Sequence, residues 1–302
     1  MIYDMIIVGG GPAGLTAALY GLRANKSVLV IEKATFGGQI TYSPKVENIP
    51  GFLSLTGNEF AEKMVDQVME QGADVESCEV LAVRDEGAVK TVVTDDGEFS
   101  GKTVIIATGA RHRLLGLPNE EKYIGEGISF CAVCDGAFYR NKIVGVVGGG
   151  NSALQEALLL SELATKVYVI QNLEKLTGEQ KLQEQLAAKE NVEILLSTVV
   201  TGFTGEDALT GVDLQGARDH LDVDGLFVAI GLVPQNEPFA NVLPLNDWGY
   251  ADVSEANMLA AGNGIFAAGD CRSKRIRQVA TAASDGAIAA LAACDYIDSL
   301  EK

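Results

Sequence analysis

Residues 129–139, Ser-Phe-Cys-Ala-Val-Cys-Asp-Gly-Ala-Phe-Tyr, separate Cys131 from Cys134 by two residues and place Asp135 directly after them. Two thiols at this spacing can supply half of a zinc site, close a structural disulfide, or shuttle electrons by opening and closing. Asp135 can move a proton to or from a thiolate, as thiol–disulfide exchange requires, or it can simply cap a helix. With only five cysteines and two histidines in the chain, a four-ligand zinc site would have to recruit scattered residues such as Cys78 and His112, so no metal is expected. Cys78 and Cys294 stand in apolar patterns and read as buried packing thiols, and Cys271 as a passive one. A dithiol–disulfide couple beside a bound redox cofactor fits best.

Such a cofactor needs a cradle, and the chain has two of one kind. Residues 5–33 read as a buried strand, a glycine turn, an amphipathic helix and a second strand rich in Val and Ile. Residues 144–172 repeat that pattern, and setting Gly9 on Gly148 carries the alignment through the second strand without a gap. A glycine turn between strand and helix lets the backbone approach a pyrophosphate, whose charge then meets free amides and the positive end of the helix dipole. In the first repeat, Gly9, Gly11 and Gly14 form the turn and Glu32 ends the next strand, where a carboxylate can accept hydrogen bonds from a ribose. In the second, Gly148, Gly150 and Ala153 correspond to those glycines, but Gln171 replaces the acid, and a neutral amide accepts more weakly. The first repeat is therefore expected to bind a dinucleotide, and the second to bind one less firmly or to be a relic.

These repeats imply an α/β chain of two dinucleotide-binding, Rossmann-like domains. Residues 95–110 read as a hairpin strand leading into a buried strand that ends at Thr108-Gly109, and Pro118 marks a crossing between domains. Residues 244–253 read as the return crossing, with Trp248 an edge-strand aromatic. The C-terminal stretch from residue 264 reads as a strand, a loop and a long helix of small residues. The second domain, 116–243, is thus expected to be inserted into a discontinuous first domain, 1–115 plus 244–302.

Composition bounds the rest. A chain of 302 residues with 47% hydrophobic and 21% charged residues has the balance of a folded globular protein. No apolar stretch approaches the ~18 residues of a membrane span, and the N-terminus enters a strand with no signal-like segment, so a cytoplasmic protein is expected. The net charge of −18 repels nucleic-acid phosphates and anionic lipid headgroups, which argues against both as partners. The densest basic run, residues 272–277, is either a solvated loop or a local anion or partner site.

Several motifs together carry a family likeness. The opening Gly-Gly-Gly-Pro-Ala-Gly with Glu32, Gly-Gly-Gln-Ile at 37–40, residues 46–51 and 106–110, the 131–139 segment, the second glycine turn, and residues 266–270 and 277–286 resemble the low-molecular-weight, bacterial-type thioredoxin reductases over nearly the whole length. The resemblance implies that the first domain binds FAD. Gly9, Gly11, Pro12, Ala13 and Gly14 would face the pyrophosphate and Glu32 the adenosine ribose. Gly38, Gln39 and Asn48 would lie along the flavin side, and Ala107, Thr108, Gly109 and Gly269 would line the same cleft. Asp270 would hold the ribityl chain, and Arg277, Gln278 and Val279 would border the ring system. Gly148, Gly150, Asn151, Ser152, Ala153 and Gln171 would take the nicotinamide dinucleotide. The resemblance further implies that a nicotinamide reduces the flavin and the flavin reduces the Cys131–Cys134 disulfide, Cys134 being the flavin-facing sulfur. Cys131 then attacks the disulfide of thioredoxin after the inserted domain rotates, with Asp135 as proton donor and acceptor, in a homodimer.

One departure bears on the electron donor. Members of that family that use NADPH carry a His-Arg-Arg run and a further Arg against the 2′-phosphate, where this chain has Gln171, Asn172, Leu173 and Thr177. NADH is therefore expected to serve better than NADPH. Reduced ferredoxin or flavodoxin driving the same chemistry is the alternative, and a non-catalytic flavin-bearing redox sensor is the alternative of another class.

Overall fold

The computed structural model describes residues 1–43, 45–260 and 264–300, in two compact units: Met1–Arg111 with Val233–Lys302, and His112–Leu232. The first unit opens with β1 (Ile2–Val8), α1 (Pro12–Arg23) and β2 (Val28–Ile31), then α2 (Gly57–Glu70), β3 (Asp74–Glu76), β4 (Val80–Asp85), β5 (Lys90–Thr94) and β6 (Gly97–Ile106). The chain leaves through β7 (Ala110–His112). The second unit contains β8 (Ile128–Ser129), α3 (Ala132–Asp135), β9 (Ile143–Val147), α4 (Asn151–Ser161), β10 (Lys166–Ile170), α5 (Gln180–Ala187) and β11 (Val192–Leu195). It continues with β12 (Val199–Thr204), β13 (Gly211–Gln215), β14 (His220–Asp222) and β15 (Gly225–Val228). The return runs through β16 (Leu232–Pro234), and β17 (Ile265–Ala267) and α6 (Val279–Leu300) complete the first unit.

In the first unit the strands run β3-β2-β1-β6-β5-β4, and β17 pairs with the end of β6. β1 is parallel to β2 and β6, with Ile6 opposite both Leu29 and Val104. Both faces are covered, which explains the unbroken apolar runs: Met5, Ile7, Val28, Val30 and Ile105 pack in one core, and Ile6, Val8, Leu29, Ile31, Val104 and Ile106 in the other. Small residues let α1 and α6 approach closely. A Cβ on Gly286 would lie 2.1 Å from the carbonyl oxygen of Ala13, so that crossing excludes any larger residue.

In the second unit the parallel order is β11-β10-β9-β15-β8, and β12-β13-β14 form a separate antiparallel sheet. The two repeats share their turn chemistry. Gly9 and Gly148 both have positive φ, 111° and 132°. A Cβ on either would lie 2.4 or 2.6 Å from the carbonyl oxygen of Ala107 or Ala229, just beyond a neighbouring strand.

Two expectations need correction. The chain returns at Val233 rather than near residue 244, because Phe239, Val242 and Leu243 are buried in the first unit's core. Trp248 is not on a strand: residues 246–249 form a turn in which Asn246 Oδ1 accepts from the amides of Trp248 at 3.0 Å and Tyr250 at 3.1 Å, leaving the indole 77% exposed. An Asn-Asp-Trp-Gly run has the chemistry of a turn, and that outweighs the β propensity of Trp.

Candidate active site

Cys131 and Cys134 are joined in a disulfide, with Cα atoms 5.3 Å apart. Their position is set by β8, whose Ser129 lies opposite Phe227 of β15. Ser129 Oγ accepts from the amide of Cys131 at 3.2 Å and donates to Asp135 Oδ2 at 2.6 Å. The amides of Cys134 and Asp135 both donate to the Cys131 carbonyl, at 3.1 and 3.0 Å, closing α3 into a single turn. Asp135 is thus tied to the first cysteine through one hydroxyl. Burial raises its carboxyl above the ordinary range, against the opposing hydrogen bond from Ser129. Its Oδ1 is buried without a hydrogen-bond partner. A carboxyl so placed keeps its proton to higher pH than an exposed one and suits proton exchange with sulfur.

His112 stacks on Phe130 at 4.6 Å between ring centroids, and burial lowers it to about 4, so the imidazole is neutral at physiological pH. Among the described residues no group of three or more His, Cys, Asp or Glu side chains is arranged to hold a metal. Cys78, Cys271 and Cys294 are buried, free thiols.

The residues expected around FAD gather at the carboxyl ends of β1, β2, β6 and β17. Gly9 and Gly11 lead into α1 with Pro12 in its first turn, and Ala13 and Gly14 follow. Glu32 sits just beyond β2, its carboxylate accepting from the amides of Gly10 at 2.8 Å and Ala34 at 2.9 Å. Gly38 and Gln39 open a short 3₁₀ turn. Asn48 donates to Gln278 Oε1 at 3.3 Å. Ala107, Thr108 and Gly109 follow β6, Gly269 and Asp270 follow β17, and Val279 begins α6. Arg277 Nε is buried without a hydrogen-bond partner, and the buried Asp270 Oδ1 is met only by Lys274 Nζ at 3.4 Å. Gly11 has no neighbour closer than 3.9 Å to where a Cβ would stand. Open glycine backbone at a helix start, a carboxylate at the next strand end, an unpartnered guanidinium nitrogen and a carboxylate held only by one long ion pair form a donor set that suits FAD.

Sequence reasoning missed three features here. Asn236, fully buried, donates to the carbonyls of Gly249 at 2.9 Å and Cys271 at 2.7 Å and accepts from Thr108 at 3.3 Å, so one amide fixes the backbone beside Asp270. Ser129 was missed because a lone Ser carries no pattern. The third is the use made of the basic run, which neither of its two sequence readings contained. Arg272 binds Asp285 with two nitrogens, at 2.8 and 3.0 Å, and Lys274 reaches Asp285 at 2.8 Å and Asp270 at 3.4 Å. Two of its cations are therefore turned inward onto carboxylates, and neither a solvated loop nor an open anion site describes them.

The second glycine turn is arranged differently from the first. Gly148 and Gly150 precede α4, which Asn151, Ser152 and Ala153 begin. Gln171 is buried against Gly149, and its Nε2 donates to the Lys175 carbonyl at 3.2 Å. Asn151 is joined to Glu179 in both directions, accepting from its amide at 2.7 Å and donating to its carboxylate at 3.0 Å. Asn172, Leu173 and Thr177 are exposed.

A family model described as pyridine nucleotide-disulphide oxidoreductase matches residues 3–286. A thioredoxin reductase of Listeria monocytogenes is 40% identical over 306 aligned positions, covering 100% of this chain and 96% of that one. A protein of Clostridium pasteurianum, described as a 34.2 kDa protein in a rubredoxin operon, is 39% identical over 97% of each chain. The crystal structure of a thioredoxin reductase from Streptococcus pyogenes superposes with a TM-score of 0.94 at 38% identity, covering 99% of both chains.

Proposed function

The chain belongs to the pyridine nucleotide-disulphide oxidoreductase family, and from that footing we propose that it reduces the disulfide of thioredoxin, or of a thioredoxin-like protein, through FAD and the Cys131–Cys134 couple. The observation that carries this reading is the Cys131–Cys134 disulfide with the buried Asp135 carboxyl in the same turn. FAD, when bound, supplies the two-electron step between a soluble donor and that disulfide. The first glycine turn and Glu32 would hold the dinucleotide, and Asp270 and Arg277 would meet its flavin half. Cys134 is the sulfur that receives the electrons, and Cys131 is the one that attacks the substrate disulfide. Ser129 aligns Asp135, which protonates the departing thiolate and reclaims the proton in the reverse sense. The protein is proposed to be a cytoplasmic homodimer; no helix among the described residues is long and apolar enough to cross a membrane.

NADH is proposed as a better donor than NADPH. Beyond the second glycine turn the chain offers a buried, already engaged amide and no arginine, so a 2′-phosphate gains little there. A second reading replaces the nicotinamide by reduced ferredoxin or flavodoxin. The same absence favours it, as does the likeness to a chain from a rubredoxin operon. Anaerobic FAD reduction by NADH, NADPH and reduced ferredoxin, compared side by side and followed by turnover with thioredoxin, separates these readings. FAD reduction without thioredoxin turnover would leave only the redox-sensor role.

A further inference from the structure

Glu156 belongs to none of the motifs above. In the internal alignment it falls opposite Ala17, which is fully buried, so the second repeat carries a carboxyl where the first carries a core methyl. It lies on α4 beside Ala157, with Leu160 one turn further on, and both are buried in the core that also takes Ala132. A Cβ on Gly136 would lie 3.4 Å from Leu160 Cδ2 and 3.3 Å from Leu163 Cδ1, which seats the segment after Asp135 on this helix. Glu156 Oε2 and Asp135 Oδ1 are both buried and both lack a hydrogen-bond partner. Ser129 donates to Asp135, and Tyr139 and Glu156 both feel its charge; Tyr139 is raised to about 12 by burial and by Asp135, Glu126 and Asp224. Burial, then the charge of Asp135, raise Glu156 from 4.5 to about 8.

Two carboxyls that each carry a buried, unpartnered oxygen do not both ionise readily at neutral pH, so the pair retains a proton. Opening a disulfide to two thiols breaks one S–S bond and takes up two electrons and two protons. Asp135, tied to Cys131 through Ser129, accounts for one proton. We propose that Glu156 and Asp135 form a buried two-carboxyl proton store for the Cys131–Cys134 couple, with Glu156 acting through Asp135. During reduction, the cofactor's two electrons cleave the S–S bond, the retained proton passes from Glu156 through Asp135 to one sulfur, and a second proton taken up by the pair follows the same route to the other. Solvent then refills Glu156. During attack on a substrate disulfide the protons leave with the substrate's two thiols.

This inference rests on the disulfide-reductase reading, and two measurements keep the two apart. The first is an infrared pH titration of the oxidised, FAD-loaded protein. A protonated-carboxyl band should be present at pH 7, should titrate out near pH 8, and should be missing from Glu156→Gln. Its absence from the unmodified protein overturns the pair, whatever the enzyme reduces. The second is the pH profile of thioredoxin turnover. Glu156→Gln should move the alkaline limb at least one pH unit to the acid side and lower turnover at pH 8 about tenfold, while Glu156→Asp, which keeps a carboxyl, should restore most of the profile. Superimposable profiles for the unmodified protein and Glu156→Gln overturn the proton role, as does a Glu156→Asp variant no better than Gln. A band at pH 7 with no thioredoxin turnover at all is instead the failure of the disulfide-reductase reading.

Discussion

At the scale of single residues the site is a matter of which sulfur and which proton. With Cys134 replaced by Ser, the remaining Cys131 thiolate should attack a single-cysteine thioredoxin activated as its thionitrobenzoate disulfide, releasing thionitrobenzoate and leaving a trapped mixed disulfide. The Cys131→Ser protein should trap none, as intact-mass measurement of the adduct will show; the reverse pattern would exchange the two roles. Ser129→Ala removes the hydroxyl that both orients Asp135 and stabilises its charged form, so Asp135 should hold its proton to still higher pH. Turnover is expected to fall several-fold, and stability by about 1 kcal/mol, the usual worth of one hydrogen bond. Glu156 gives a stability signature with a definite sign. Its folded-state value of about 8 lies above the ordinary 4.5, so the folded chain binds the proton more tightly, and this group's contribution is full below pH 4.5 and lost as pH rises toward 8. Urea midpoints should therefore fall between pH 5.5 and 8.5 by more in the unmodified protein than in Glu156→Gln. Equal falls would show that Glu156 titrates as an ordinary surface carboxyl.

At the scale of elements, the strand–turn–helix repeat was legible because both of its constraints are written locally: unbroken apolar strands that must be covered on both faces, and glycines where backbone meets backbone. The Cys131–Cys134 turn was equally legible, since its chemistry lies within five consecutive residues. What could not be read were contacts made over long sequence separations. Asn236 joins Thr108, Gly249 and Cys271; Arg272 and Lys274 fold onto Asp285; Glu156 lies on a helix whose pattern announces only burial. The return crossing was placed eleven residues late because a short 3₁₀ turn and a loop bury Phe239, Val242 and Leu243 without any periodic signal. The second repeat also yields a direct test. Asn172, Leu173 and Thr177 are exposed at the end of β10, so arginines there meet no steric objection. Gln171→His with Asn172→Arg, Leu173→Arg and Thr177→Arg should shift the NADPH-to-NADH preference at least tenfold toward NADPH, since about 1.4 kcal/mol of recovered phosphate binding suffices. FAD reduction at varied nucleotide concentration measures it, and an unmodified protein that already prefers NADPH would locate the phosphate contacts elsewhere.

At the scale of the whole molecule the decisive quantities are cofactor content and charge. The purified protein should be yellow with about one FAD per chain, because the open first turn, the carboxylate of Glu32 and the unpartnered Arg277 Nε suit a bound dinucleotide; a folded, colourless protein that takes up no added FAD would undo the reading at its root. Charge then decides among donors. At −18 the protein repels an acidic electron carrier at long range, and the one dense basic run is weakened as a local landing patch because Arg272 and Lys274 are held by Asp285 and Asp270. If reduced ferredoxin or flavodoxin is the donor, its second-order rate of FAD reduction should rise as salt goes from 10 mM to 150 mM. Over that range the screening length falls from about 30 Å to about 8 Å, and like-charge repulsion is what the salt removes. NADH, a small dianion entering a built turn, should show a much weaker dependence. A ferredoxin rate that instead falls steeply with salt would reveal a cationic docking surface that this charge distribution does not provide, and would make the iron or flavin carrier, rather than the nicotinamide, the donor for which the surface is shaped.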